Sequence, residues 1–382
     1  MWGVDEFLEL LKLVVNKGAS DLHLMVPGPP ILRIDGAIVP QQGFPPLHPK
    51  DMEKIFEHIT TPEQRKDFLK EQGLDFAYSV SGVARFRASV LKQRGTLSLV
   101  FRLVPFKVFS IDALGLPQIC KKLILKPRGL ILITGPAASG KSTTMAAMID
   151  HLNKTDARSV VTIEDPIEYL HRNNKCVIAQ QDLGEDTRSF ANALKYALRH
   201  DPDVIAIGEM RDLDTISTAI RAAETGHLVL GTLHTNDATQ TVDRIIEIFP
   251  PDQHQQIRIQ LSQVIEAILS QTLLPRIGGG RTAAFEILIA TPAVRNLIRT
   301  GQSFELPNVM RLCSKEGMQT LEQALTYLVG DGLVSQEDAL MKSNDPDRLK
   351  KSIKLQPVGS RPVTISNEAE QVAAAAGQKR PR

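Results

Sequence analysis

In DEFLELLKLVVNKG, Phe7, Leu8, Leu11, Val14 and Val15 recur at helical spacing behind Asp5 as a cap, and Gly18 ends the run. ILRIDGAIVP then has two short β-like runs around Asp35-Gly36, a dipeptide suited to a tight hairpin turn. A polar helix over 50–70 follows, and the strand-like LDFAYSV, ARFRASV and GTLSLVFRLVP complete a helix-plus-antiparallel-sheet pattern. Residues 1–105 therefore predict a small α+β domain. Prolines at 105, 117 and 127 mark 106–127 as a connection with a short helix. Beyond it the apolar runs LILIT (130–134), VVTI (160–163), VIAI (204–207) and LVLGTL (228–233) alternate with helical patterns. Runs apolar on both faces are buried parallel strands covered by crossover helices, so 128–354 predicts an α/β domain. From Glu247 to Leu340 the period turns helical, in HQQIRIQLSQVIEAILSQTL, PAVRNLIRTG and LEQALTYLVGDG, with Gly278-Gly279-Gly280 as a flexible loop. The segment 355–382 has scattered Pro, Gly and Ser, an alanine run and no amphipathic period, and predicts a disordered tail.

Composition narrows the function. Of 382 residues, 42% are hydrophobic and 23% charged, as in ordinary globular proteins. A formal net charge of +2 gives no bulk attraction for a polyanion, which argues against a nucleic-acid partner. Three dispersed cysteines, Cys120, Cys176 and Cys313, build neither a disulfide framework nor a zinc site. The acidic start MWGVDEFLEL is unlike a signal peptide, and no apolar run reaches the roughly 18 residues of a bilayer span. A cytoplasmic protein is expected.

The chemistry begins at GPAASGKS, which fits G-x-x-x-x-G-K-[ST] with Gly135, Gly140, Lys141 and Ser142. It follows the strand LILIT and leads into the helical STTMAAMIDHLN, the setting in which loop amides and a helix N-terminus face anionic phosphates. Pro136, Ala137, Ala138, Ser139 and Thr143 complete that cradle; Lys141 would meet the β and γ phosphates of ATP and Ser142 would reach Mg²⁺. Hydrolysis needs a carboxylate beyond a second buried strand, and VIAIGEMRD supplies Glu209 to orient or deprotonate a water. Gly208 stands where an aspartate is usual, so Mg²⁺ leans on Ser142 and another acid, with Glu164, Asp165 and Glu168 as candidates. Any one of these acids also reads as a solvated loop charge. His227 and His234 bracket LVLGTL; a histidine ending a core strand also reads as a packing residue, but position favours His234 as a γ-phosphate sensor. Arg85, Arg87, Arg94 and Arg102 read either as a solvated basic face or, in a ring assembly, as arginine fingers.

In order along residues 3–353, ASDLHL, RFRAS, GPAASGKST, TIEDPIEYLH, IGEMRD and GHLVLGTLHTNDA resemble the secretion-type ATPases of type IV pili and type II secretion. Within that superfamily the chain is similar to the retraction branch of the PilT and PilU type. The resemblance implies a PAS-like N-terminal domain, a RecA-like ATPase domain and a homo-hexameric ring that couples ATP hydrolysis to pilus retraction. It implies phosphate and Mg²⁺ binding by Lys141 and Ser142, Glu209 as catalytic glutamate, and Glu168 with Glu164 supporting metal and water. His227 and His234 match its histidine box, and Arg87, Arg94 and Arg102 would complete a neighbour's site. An inner-membrane pilus platform protein and a paralogous retraction ATPase are the implied partners, at the cytoplasmic face of the inner membrane. TPAVRNLIRTGQ resembles a retraction-associated motif, with Val294 and Thr300 as conservative departures. The P-loop departs further, carrying Ala137-Ala138 where the family has Thr-Gly. Three dispersed cysteines cannot make the four-cysteine zinc element usual in extension and secretion ATPases. The rival of another class is a nucleotide-sensing accessory subunit with weak turnover.

Overall fold

Alternation in ARFRASV turns Ala84, Phe86, Ala88 and Val90 into the core and leaves Arg85, Arg87 and Ser89 on the other face. The computed structural model describes residues 2–34, 36–104 and 108–355. They divide into two compact units, one of 2–104 with 166–170, the other of 108–165 with 171–355.

In the first unit, α1 (Val4–Asn16) precedes β1 (Asp21–Leu24), β2 (Ile31–Ile34) and β3 (Ala37–Pro40), then α2 (Pro49–Ile59) and α3 (Pro62–Glu71). The strands β4 (Gly73–Val80), β5 (Ala84–Gln93) and β6 (Thr96–Val104) follow. All pairings are antiparallel, in the order β3-β2-β1-β6-β5-β4. Phe7, Leu10, Leu11 and Met52 pack with Leu22, Phe86 and Phe101 in one core. The expected β2–β3 hairpin pairs Ile34 with Ala37 around Gly36 at φ 82°, and Asp35 lies outside the described residues. The first helix is capped by Gly3 rather than Asp5, because the Glu6 carboxylate accepts from the Gly3 amide at 2.8 Å. Leu10 replaces Leu8 and Val15 among its buried residues.

The second unit opens with α4 (Ile119–Ile124) and β7 (Gly129–Thr134), followed by α5 (Lys141–Thr155), β8 (Ser159–Glu164), β9 (Val177–Asp182) and α6 (Phe190–Ala197). Next come β10 (Val204–Ile207), α7 (Leu213–Glu224), β11 (Leu228–Leu233), α8 (Ala238–Glu247) and α9 (His254–Val264). The chain continues through β12 (Ile265–Pro275), β13 (Arg281–Ile289), α10 (Pro292–Thr300), α11 (Leu306–Leu312), α12 (Leu321–Gly330), α13 (Gln336–Lys342) and α14 (Pro346–Leu355). The sheet order is β13-β12-β7-β11-β10-β8-β9, parallel except where β13 runs against β12. Leu130 and Leu132 of β7 pack with α7 and α8 residues, while Ile131 and Ile133 pack with α4 and α5 residues. A strand covered on both faces reads as an unbroken apolar run, which is why LILIT shows no alternation.

The expected all-helical stretch is corrected here. HQQIRIQLSQVIEAILSQTL is helical only to Val264 and then becomes β12, and Gly278-Gly279-Gly280 lies in the β12–β13 hairpin connection. Both faces of β12 are buried, so its apolar positions fit a helical period as well as a strand. The edge strand β9 is a second addition; of the tail expected to be disordered, 355–382, Leu355 ends α14 and 356–382 lie outside the described residues.

Candidate active site

The P-loop leaves the end of β7, where only glycine fits. At Gly135, φ is 143° and a Cβ would stand 2.2 Å from the Gln271 carbonyl oxygen; Gly140, at φ 91°, caps α5. Pro136, Ala137 and Ala138 are exposed at the rim, Ser139 and Lys141 are buried, and Gly140, Ser142 and Thr143 are half-buried. Lys141 Nζ donates to the carbonyl oxygens of Gly135 at 2.8 Å and Pro136 at 3.0 Å, so the ammonium is held across the loop's mouth. Ser139 Oγ is buried without a hydrogen-bond partner. A loop with glycines at its closest approaches, a buried cation and an orphaned hydroxyl fits a phosphate chain.

The parallel register then places the other groups. β11 lies beside β7 and β10 beside β11, with Leu233 opposite Thr134 and Ile207 opposite Gly231. His234 thus emerges one strand from the P-loop and Glu209 two strands away, on the order of 10 Å at the usual strand spacing. The next strand, β8, ends at Glu164. A crevice along the carboxyl ends of parallel strands is where such sheets bind ligands. Gly208 allows this crowding, because a Cβ there would stand 3.1 Å from Glu164 Cα. Gly231 likewise leaves room for the Met210 side chain, and Thr232 Oγ1 donates to the Gly208 carbonyl.

Glu209 Oε1 pairs with Arg211 Nε and lies 3.2 Å from His234 Nε2. Burial pushes this carboxyl up, but the hydrogen bond and charge of Arg211, with the His234 charge, outweigh it and hold it below the ordinary carboxylate range. Glu164 is buried, and its Oε1 accepts from Thr162 Oγ1 at 2.7 Å and Gln180 Nε2 at 3.1 Å.

Other candidates stand elsewhere. His227 precedes β11 at the amino ends of the strands, beside Gly129, a strand length of about 20 Å from the P-loop. The structure does not bring this expected nucleotide-binding residue to the P-loop of the same chain; its Nδ1 lies 3.0 Å from the Ala222 carbonyl oxygen and helps close the α7–β11 turn. Glu168 is exposed in 166–170, which belongs to the first unit. Among the described residues no three His, Cys, Asp or Glu converge as a metal site, so a cation here would need Ser142, single carboxylates and phosphate oxygens. The arginines are also on the first unit. Arg87 and Arg102 face each other in register; Arg102 Nε pairs with Asp21 Oδ1 at 2.8 Å and Arg87 with Asp75 at 3.5 Å, while Arg94 is exposed in the β5–β6 turn at φ 47°. Sequence reasoning missed Arg211, Gln271 and Thr144. IGEMRD contains Arg211 in plain view, whereas Gln271 had no signal because its segment read as helix.

The family profile described as Type II/IV secretion system protein matches residues 10–341. Over 342 residues the chain is 46% identical to the type IV pilus retraction ATPase PilT of Pseudomonas aeruginosa, covering 90% of this chain and 99% of that one. It is 42% identical over 351 residues to the type IV pilus ATPase PilU of the same organism, covering 92% of each. A crystal structure of the pilus retraction motor PilT with bound ADP is 48% identical, with a TM-score of 0.83 over 90% of this chain and 98% of that one.

Proposed function

The chain belongs to the type II/IV secretion system protein family, and from that premise we propose that it is the ATP-hydrolysing motor of type IV pilus retraction. The observation that carries the reading is the succession of strand ends: P-loop after β7, His234 after β11, Glu209 after β10. A γ-phosphate lying against Lys141 would extend toward His234, with Glu209 beyond it to orient the attacking water. Because Arg211 and His234 keep Glu209 ionised, the carboxylate is better suited to aligning that water than to taking its proton at neutral pH; release from Arg211 would raise its basicity. Ser142, with Glu209, would hold Mg²⁺, which would neutralise charge developing on the phosphate oxygens.

In a homo-hexamer, Arg87, Arg94 and Arg102 serve as the groups that one subunit offers to its neighbour's nucleotide. The ring works at the cytoplasmic face of the inner membrane, against the pilus platform protein and alongside a paralogous retraction ATPase. No helix among the described residues is long and apolar enough to cross a membrane, in keeping with attachment through a partner.

A second reading, an accessory PilU-like subunit with weak turnover, is favoured by one observation: Ala138 holds the P-loop at φ 60°, where alanine is disfavoured. Phosphate release with Mg²⁺-ATP separates the two. The motor predicts turnover by the wild type and a loss of about 100-fold or more in Glu209→Gln with ATP binding retained. Bound ATP without turnover in the wild type would move the assignment to the accessory role, and a monomer in light scattering with and without nucleotide would refute the ring.

A further inference from the structure

Beside the P-loop, on the side away from His234, β12 presents a buried amide that the mechanism above does not use. Gln271 is 3% exposed. Its Nε2 donates to the Ser139 carbonyl oxygen at 2.6 Å, in the middle of the loop, and its Oε1 accepts from Thr144 Oγ1 at 2.8 Å, in the first turn of α5. Its own carbonyl oxygen occupies the place a Cβ on Gly135 would need, and Nε2 stands 3.1 Å from a Cβ on Gly140. One residue back, Ser270 Oγ accepts from Thr134 Oγ1 at 2.8 Å. From these contacts we propose that Gln271 is a positioning residue that holds the P-loop in its nucleotide-binding shape from outside the motif.

The physical reason lies in the peptide plane. In a trans peptide the C=O of one residue and the N–H of the next point in opposite directions. Tying the Ser139 carbonyl to β12 therefore turns the Gly140 amide away from β12, available to an anion. The Thr144 bond fixes the first turn of α5 in the same register, so the loop amides and the helix N-terminus share one orientation. A neutral amide donates to a carbonyl and accepts from a hydroxyl with one planar group; glutamate at this position would accept only and would set a negative charge beside the phosphates.

The inference rests on the nucleotide-binding reading, so the test begins with wild-type affinity. Binding of a fluorescent ATP analogue and of ADP, with KM and kcat for hydrolysis, would be compared for the full chain, Gln271→Met, Thr144→Val and the double variant. Methionine conserves length and volume. Gln271→Met should weaken both nucleotides about tenfold and raise KM more than it lowers kcat, at a melting temperature close to wild type. Thr144→Val should weaken them about threefold, and the double variant should lose less than the product of the two, because both cut one strut. Wild-type affinity in a folded Gln271→Met protein would overturn the proposal, as would a loss wholly matched by unfolding. Should Gln271→Met not fold, unchanged affinity in Thr144→Val overturns it alone. A wild type that binds neither nucleotide removes the functional reading itself, which is a different failure.

Discussion

Ala138 is the one P-loop residue other than glycine with positive φ, at 60° between Gly135 and Gly140. Left-handed backbone costs alanine about 1 kcal/mol, so the departure visible in the sequence as Ala137-Ala138 is localised to a single residue. Ala138→Gly should lower KM for ATP about 2- to 5-fold with little change in melting temperature, as the relief of strain is offset by the looser unfolded chain. Steady-state kinetics on the pair would check it. Arg211 supports a second prediction. Because its guanidinium helps hold Glu209 below the ordinary carboxylate range, Arg211→Gln lets that carboxyl rise. The acid limb of the kcat/KM profile then moves to higher pH; an unmoved limb would dissociate it from Glu209. The sign is that of a depressed carboxylate, charged above its folded value and lost as pH falls through it. Glu209 and Lys141 were legible in the sequence because strand-loop-helix context needs only neighbours in the chain. Gln271 was not, since its partners Ser139 and Thr144 are more than 120 residues away.

Strand β12 shows how an element escapes a local reading. Ile265, Ile268 and Leu269 satisfy a helical period, yet the segment pairs with β7 on one side and β13 on the other. Ladder bonds to distant strands decide the matter, and no local pattern contains them. Leu269 is 0% exposed in this strand, whereas Leu312 at the end of α11 is 84% exposed, although both sit in apolar stretches that look alike. Leu269→Ala should cost 2 to 5 kcal/mol in urea denaturation and Leu312→Ala less than about 0.5. Equal effects would contradict the burial of Leu269 between the two faces of the sheet's covering layers.

Across the second unit, Glu286 of β13 joins elements far apart in sequence. Its Oε1 accepts from the Ala238 amide at the start of α8 at 2.8 Å, and it also accepts from the Leu321 amide at the start of α12. Burial pushes this carboxyl from 4.5 up to about 7, against the two amide bonds and with help from the charges of Asp237 and Glu322. A carboxyl raised in the folded state favours folding below its unfolded value and loses that contribution as pH rises through the folded one. The unit should therefore lose on the order of 3 kcal/mol between about pH 4.5 and 7, and Glu286→Gln, which keeps an acceptor without the charge, should flatten that slope. Urea melts at pH 5 and pH 8 test it; a wild-type stability equal at both would set the idea aside.

What the sequence determined by itself was whatever depends on near neighbours: the alternation of β5, the buried runs of the parallel strands, and the order of phosphate loop, glutamate and histidine motifs. Tertiary structure alone decided what depends on register between strands. It set His234 beside Glu209, left His227 at the opposite end of the same strand, and turned an apparent helix into the strand that clamps the P-loop. The physical reason is that helical periodicity and capping are written in contacts a few residues apart, whereas which end of a strand faces a ligand, and which strand lies next to it, is written only in hydrogen bonds between distant segments.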